Sequence, residues 1–155
     1  MKTARGLLFL AVAALVGSAA AVFGATYLPL SDQDLARRSP VIVRAVVLDN
    51  TVRVENLEGR DLPFTITTLA PIERLKGRIA AGPITVRLSG GRVGDMAWWI
   101  PGTPVFKKGQ EVVVFLNPRP GHPGEYHLTE LGLAHFDIVP DRSGRRFAVR
   151  PAFAP

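Results

Sequence analysis

Apolar positions follow two patterns along this chain. From Gly6 to Val16 they form an unbroken run, whereas beyond residue 40 they come in short segments that alternate with polar residues. Alternation with a period of two marks a half-buried strand. Phe64, Ile66, Ala70 and Ile72 alternate with Thr65, Thr67 and Glu73, and that segment runs on into Leu75-Lys76-Gly77. Ile84, Val86 and Leu88 alternate with Thr85, Arg87 and Ser89 in the same way. Val41 to Leu48 is rich in β-branched residues and predicts a strand that stops at a turn or bulge at Asp49-Asn50. Glu111 to Leu116 is apolar on both faces and predicts the most buried, central strand. Glu125 to Leu131, His135 to Val139 and Arg146 to Arg150 are shorter strand segments, the last one following the turn Asp141-Arg142-Ser143-Gly144.

One helix is predicted ahead of these strands, over Ser31 to Arg38. Ser31 suits the N-cap, Asp32 and Asp34 fall in the first turn, and Arg37 and Arg38 in the last, each favourable to the helix dipole. Pro40 ends it. Two long loops separate the strands. One runs from Ser89-Gly90-Gly91 to about Lys108, and the other is the Pro- and Gly-rich stretch Asn117 to Gly124. Five to six strands with one short helix in a small domain predict an all-β fold, a closed or nearly closed β-barrel, with a two-sheet sandwich as the alternative.

The unbroken apolar run assigns an address. Lys2 and Arg5 precede it, and Gly17, Ser18, Ala19, Ala20 and Ala21 follow it. A basic start, an apolar middle and a small-residue exit make a secretory signal peptide over residues 1–25, with cleavage near 21–25. The 18 uncharged residues from Gly6 to Phe23 sit at the lower edge of a membrane-spanning length, which favours cleavage over a retained anchor. The expected product is a single secreted or periplasmic domain over residues 26–150, with a frayed tail over 151–155.

Composition narrows the chemistry. There is no cysteine, which excludes disulfides, thiolate metal sites, thiol nucleophiles and a lipid-modified N-terminal cysteine. The formal charge is +6, from 19 Lys and Arg against 13 Asp and Glu; losing Lys2 and Arg5 leaves 17 against 13, or +4. The basic pairs Arg37-Arg38, Lys107-Lys108 and Arg145-Arg146 are scattered and form no stripe of the kind a nucleic acid needs.

Ser39 to Val47, then Ile72-Glu73-Arg74-Leu75-Lys76-Gly77, then Ile84-Thr85-Val86-Arg87 resemble the front half of a netrin-like or TIMP-like OB-fold domain. Ser89-Gly90-Gly91, Gly102-Thr103-Pro104-Val105-Phe106 and Lys108 to Leu116 resemble a group of bacterial secreted proteins of uncharacterised function. The two stretches together cover roughly residues 35–140, and the shared motifs are strand patterns and turn glycines. The resemblance implies a small OB-like barrel. It does not bring inhibitory chemistry with it, because TIMP-like inhibitors chelate a protease zinc through a disulfide-anchored N-terminal cysteine, which this chain lacks.

No catalytic constellation emerges. His122, His127 and His135 are the three histidines, and His135-x-Asp137 with Glu125 and His127 is a weak outline of a metal site. None of the serines (Ser31, Ser39, Ser89 and Ser143, beside Ser18 in the leader) lies in a Gly-x-Ser-x-Gly motif, and a Ser89–His135 pairing has no support. Gly90 to Asp95 lacks the Lys-Ser/Thr of a phosphate loop and reads as a turn that needs glycine. The remaining singular feature is Trp98-Trp99. Adjacent residues in an extended segment point to opposite sides, so the rings either plug a barrel end or offer an anchor to a partner. The expectation is an exported, non-enzymatic module with no cofactor or metal. It would recognise a protein or cell-envelope partner through Trp98, Trp99, Arg92 and Phe106, with no nucleic acid and no stable membrane span after cleavage. A secreted hydrolase or metal-dependent enzyme and an oligonucleotide-binding OB domain stand as alternatives.

Overall fold

A computed structural model describes residues 30–151. The expected leader, its cleavage point and the tail beyond Pro151 lie outside the described residues.

Helix α1 (Asp32–Arg38) forms where its caps predict it. Ser31 Oγ accepts from the Asp34 amide at 3.1 Å. At the other end Lys76 Nζ donates to the Ala36 carbonyl at 2.6 Å, so one free carbonyl of the last turn gains a cation. Ser39, the residue before Pro40, is extended at φ −89° and ψ 114°, which stops the helix. A helix of two turns is not stable alone. Its one buried side chain, Leu35, fastens it to the core.

Strands β1 (Val41–Leu57) and β2 (Arg60–Lys76) are each 17 residues long and form one antiparallel hairpin. β1 therefore does not end at Leu48. The register shifts between Val47 and Asp49, and the strand continues with Asp49 exposed to solvent and Asn50 bonded across it: Asn50 Nδ2 donates to the Phe106 carbonyl at 3.0 Å, and Thr67 Oγ1 donates to Asn50 Oδ1 at 2.6 Å. The hairpin closes on Glu58 and Gly59, at φ 53° and 79°, the two positive values a tight two-residue hairpin turn requires.

β3 (Ile84–Ser89) pairs with β2, and β6 (Glu111–Pro118) pairs with β1, β7 (Glu125–Leu128) and β8 (His135–Pro140). β9 (Arg146–Val149) lies on the outer edge of β8. Between β3 and β6 a small ribbon forms from β4 (Gly91–Val93) and β5 (Met96–Trp98). The fold is mostly β with one short helix, as expected. The count of five to six strands is corrected: seven strands form one sheet in the order β1-β2-β3-β7-β6-β8-β9, and two more form the ribbon. β1 also pairs with β6, so the sheet turns back on itself; β8 and β9 extend beyond that return, and the result is not a clean barrel. The short segments expected over 135–139 and 146–150 both form strands, and the unforeseen pair is the ribbon over 91–98, too short for periodicity to separate from a loop.

β6 is the central strand the sequence predicts, with three strand partners. Its inward residues Val112, Val114 and Leu116 meet Val43, Ala45 and Val47 of β1 and Ile84, Val86 and Leu88 of β3 in one core. β7 stops at Leu128, short of the expected Leu131, because Leu131 takes φ 45° and opens a 3-10 turn over Leu131–Ala134.

Leu116 pairs with Val41 on one side and Leu128 on the other and is fully buried. Leu116→Ala is expected to cost about 2–5 kcal/mol, read from the urea midpoint at unchanged slope. A loss below about 1 kcal/mol would place Leu116 outside the closing core.

Candidate functional site

The segment from Gly90 to Lys108 is anchored at both ends. At its start the Gly90 amide donates to the Pro63 carbonyl at 3.0 Å, and Thr65 Oγ1 donates to the Gly90 carbonyl at 2.9 Å. A Cβ on Gly90 would lie 2.7 Å from the Trp98 carbonyl oxygen, too close to fit, and one on Gly91 would crowd the Val52 side chain at 3.1 Å and Thr65 Oγ1 at 3.2 Å. The double glycine is thus a packing and turn device, as its sequence context predicts. At the far end Phe106 is buried and stands edge-on to the His135 ring, with centroids 5.3 Å apart.

Phe106 therefore corrects the expected partner surface. It lies in the core and supports the loop from beneath instead of meeting a partner. The two tryptophans are the reverse case. Trp98 is 44 % exposed and Trp99 53 % exposed, so neither ring plugs the end of the sheet; Phe106 does. As alternation predicts, the two rings take different sides. Trp98 lines an apolar crevice of about 320 Å3 with Leu57, Leu62, Pro63, Phe64 and Ile100. Trp99 borders a larger groove of about 770 Å3 with Lys107, Lys108, Gln110, His135 and Asp137. Arg92 is exposed on β4, opposite Ala97.

Beside the Trp98 crevice lies a cluster that sequence reasoning missed. Glu55 of β1 takes a fork from Arg87 of β3, with Nη2 at 2.8 Å and Nε at 3.2 Å from Oε2. Arg119, in the 117–124 loop, reaches both Glu55 and Glu125, and Arg53 joins the same two carboxylates at 3.8 and 3.5 Å. The Arg87 guanidinium also lies 3.3 Å over the Phe64 ring, a cation–π contact that covers buried Phe64. The Arg87 hydrogen bonds, then the positive charges of Arg87, Arg119 and Arg53, hold the Glu55 carboxyl below its ordinary value against the opposing effect of burial. The three arginines share two carboxylates, so each is engaged within the cluster.

The other candidate residues are not brought together. His122 and His127 are exposed, whereas His135 is buried, with Nδ1 donating to the Gly132 carbonyl at 2.9 Å in its neutral form. Burial pushes the His135 pKa down. Glu125 belongs to the arginine cluster, and among the described residues no three His, Cys, Asp or Glu side chains gather closely enough to hold a metal. Ser89 lines the Trp98 crevice and His135 the Trp99 groove, so the pair does not meet. Ser39 is buried and bonded to the Leu35 carbonyl and Thr129; Ser31 caps α1, and Ser143 closes the turn at Asp141. Asp32 pairs with Arg150, and Asp34 with Arg37.

No family model, curated protein or solved structure matches this chain. The site therefore has to be read from its own geometry.

Two acid transitions follow. The lowered folded pKa of His135 makes unfolding take up a proton, so stability falls as pH drops below the unfolded histidine value of 6.5. Glu55 is depressed, so its contribution is complete above the ordinary carboxyl value of 4.5 and is lost as pH falls through its lower folded value. Glu55→Gln is expected to cost about 1.5–3 kcal/mol at pH 7 and to flatten the second transition in pH-dependent denaturation. An unchanged acid limb would remove Glu55 from this role.

Proposed function

We propose that the chain is an exported, non-enzymatic binding module that recognises a protein or cell-envelope partner through the loop carrying Trp98 and Trp99. The observation that carries this reading is the exposure of both rings on a loop tied down at each end. Trp98 borders an apolar crevice and Trp99 a polar groove. Large amphipathic rings held on a fixed support lose little conformational freedom on binding, which is why tryptophan dominates binding hot spots. Export is inferred from the pattern of the first 25 residues, with the periplasm or the medium as the destination.

The scaffold reading is an OB-like barrel of the netrin-like or TIMP-like kind. Support for it comes from the ring of pairings β1-β2-β3-β7-β6-β1, in which β3 and β7 run parallel and the other neighbours antiparallel. The fold alone assigns no activity. The partner surface is Trp98, Trp99 and Arg92, with Phe106 as the residue that props the loop.

With immobilised chain and extracted cell envelope, Trp98→Ala together with Trp99→Ala is expected to lower partner retention by roughly 30-fold or more, the scale of losing one hot spot. The thermal midpoint should stay within a few degrees, because both rings are half-exposed. Retention equal to the parent in a folded double variant would refute the reading; so would a double variant that does not fold, since the rings would then be structural.

A further inference from the structure

Large apolar side chains are concentrated on one loop. Met96 is 61 % exposed and Val105 77 % exposed, with Trp98, Trp99 and Ile100 half-exposed between them. The ribbon register places Val93 and Met96 on the same face as Trp98, so the apolar surface continues outward from the crevice to the ribbon tip. Arg92 precedes this surface, and Lys107 and Lys108 follow it. Their side chains make no ion pair or hydrogen bond among the described residues. Elsewhere many cations are engaged, with Arg44 on Glu73 and Glu111, Arg87 on Glu55, and Arg146 on Glu111, and the other unpaired ones, Arg60, Arg74, Arg78 and Arg142, lie outside this apolar segment. Asp95, at the ribbon turn, is the one acid in the segment, so residues 92–108 carry three cations against one anion.

We infer that segment 92–108 is a lipid-docking loop that meets the surface of an anionic membrane edge-on, with Met96, Trp98 and Ile100 on one side of the loop, Trp99 and Val105 on the other, and Arg92, Lys107 and Lys108 reaching the headgroup phosphates. The inference rests on the binding-module reading and names the chemistry of its partner. Indole rings favour the headgroup level, where one edge is apolar and the other wet. Exposed Met, Ile and Val side chains suit the acyl boundary beneath it, and lysines reach from an apolar seat to charged headgroups. A saccharide platform would account for the indoles but not for the aliphatic residues beside them. Among the described residues no helix is long and apolar enough to cross a membrane. The attachment inferred here is made by a loop lying on the surface.

The two tryptophans of the chain are both in this loop, so their emission reports on the loop and on no other segment. The test is quenching of tryptophan emission in the full chain by vesicles with brominated acyl chains, either phosphatidylglycerol or phosphatidylcholine. Phosphatidylglycerol vesicles are expected to quench and blue-shift the emission, and phosphatidylcholine vesicles to do so only at much higher lipid. Lys107→Ala with Lys108→Ala should raise the half-quenching lipid concentration about 30-fold, at roughly five-fold per lysine. Val105→Asp, at a position too exposed to affect folding, should also weaken quenching. The inference is overturned by absent quenching with phosphatidylglycerol, by equal midpoints in the two lipids, or by midpoints that neither variant moves. Retention from lipid-free envelope protein that depends on Trp98 and Trp99, without any quenching, would also overturn it; the binding-module reading would then stand with a protein as partner.

Discussion

Everything in this structure depends on β1 hydrogen-bonding along both edges. One edge pairs with β2 over its whole length, and the other takes β6 from Val41 to Val46. A flat strand cannot serve two neighbours that must also meet each other around a core, so β1 has to coil. It does so at three register shifts, between Ile42 and Val43, Arg44 and Ala45, and Val47 and Asp49. Pro71 lies opposite Ala45 at one of these shifts, where the regular ladder is already interrupted. With the sheet turned back on itself, β1, β3 and β6 contribute facing aliphatic side chains to one core, and packing alone holds a chain that has no disulfide to help.

The same coil sets the geometry of the loop. Beyond its pairing with β6, β1 runs on with β2 as a long hairpin whose outer half would otherwise stand in solvent. The Glu55 fork to Arg87 and the Arg119 contacts to Glu55 and Glu125 hold that half against β3 and the 117–124 loop. Leu57, Leu62 and Phe64 then form one wall of the crevice that Trp98 completes. On the opposite side Phe106 enters the core and accepts a hydrogen bond from Asn50, which fixes where the loop returns. Trp99 is left between Lys107 and His135 on the second groove. The position of the two rings is therefore set by strand coiling and two tethers together with the loop's own glycines and alternation.

How much of this could be read beforehand varied with how local the cause was. The helix over 32–38 and the strands near 41–48, 84–89 and 111–116 were legible because a cap, a proline or a period of two identifies each within a few residues. The hairpin over 49–63 was not. Val52 and Val54 alternate with Arg53 and Glu55, but Asp49-Asn50 imitates a stop ahead of this short stripe, and Glu58-Gly59 was the turn signal to weigh. Opposite directions for Trp98 and Trp99 followed from alternation alone. Phe106, set among Gly, Pro and Lys, looked like surface; its burial depends on Asn50 and His135, which are far away in sequence. The arginine cluster was equally hidden, since Arg119 and Glu55 meet only through the register of four strands.

The central claim is that closure of the sheet through β1 makes the most stable part of the fold, on which the loop is tethered only at its ends. Native-state amide hydrogen exchange tests it most directly. Amides of 43–46 and 112–116 should exchange only through global unfolding, with a denaturant dependence equal to that of the whole domain. Amides of 92–103, held by a three-pair ribbon and a few turns, should exchange through local opening at much lower free energy. Residues 43–46 exchanging as fast as the loop, or the loop as protected as β6, would contradict the account.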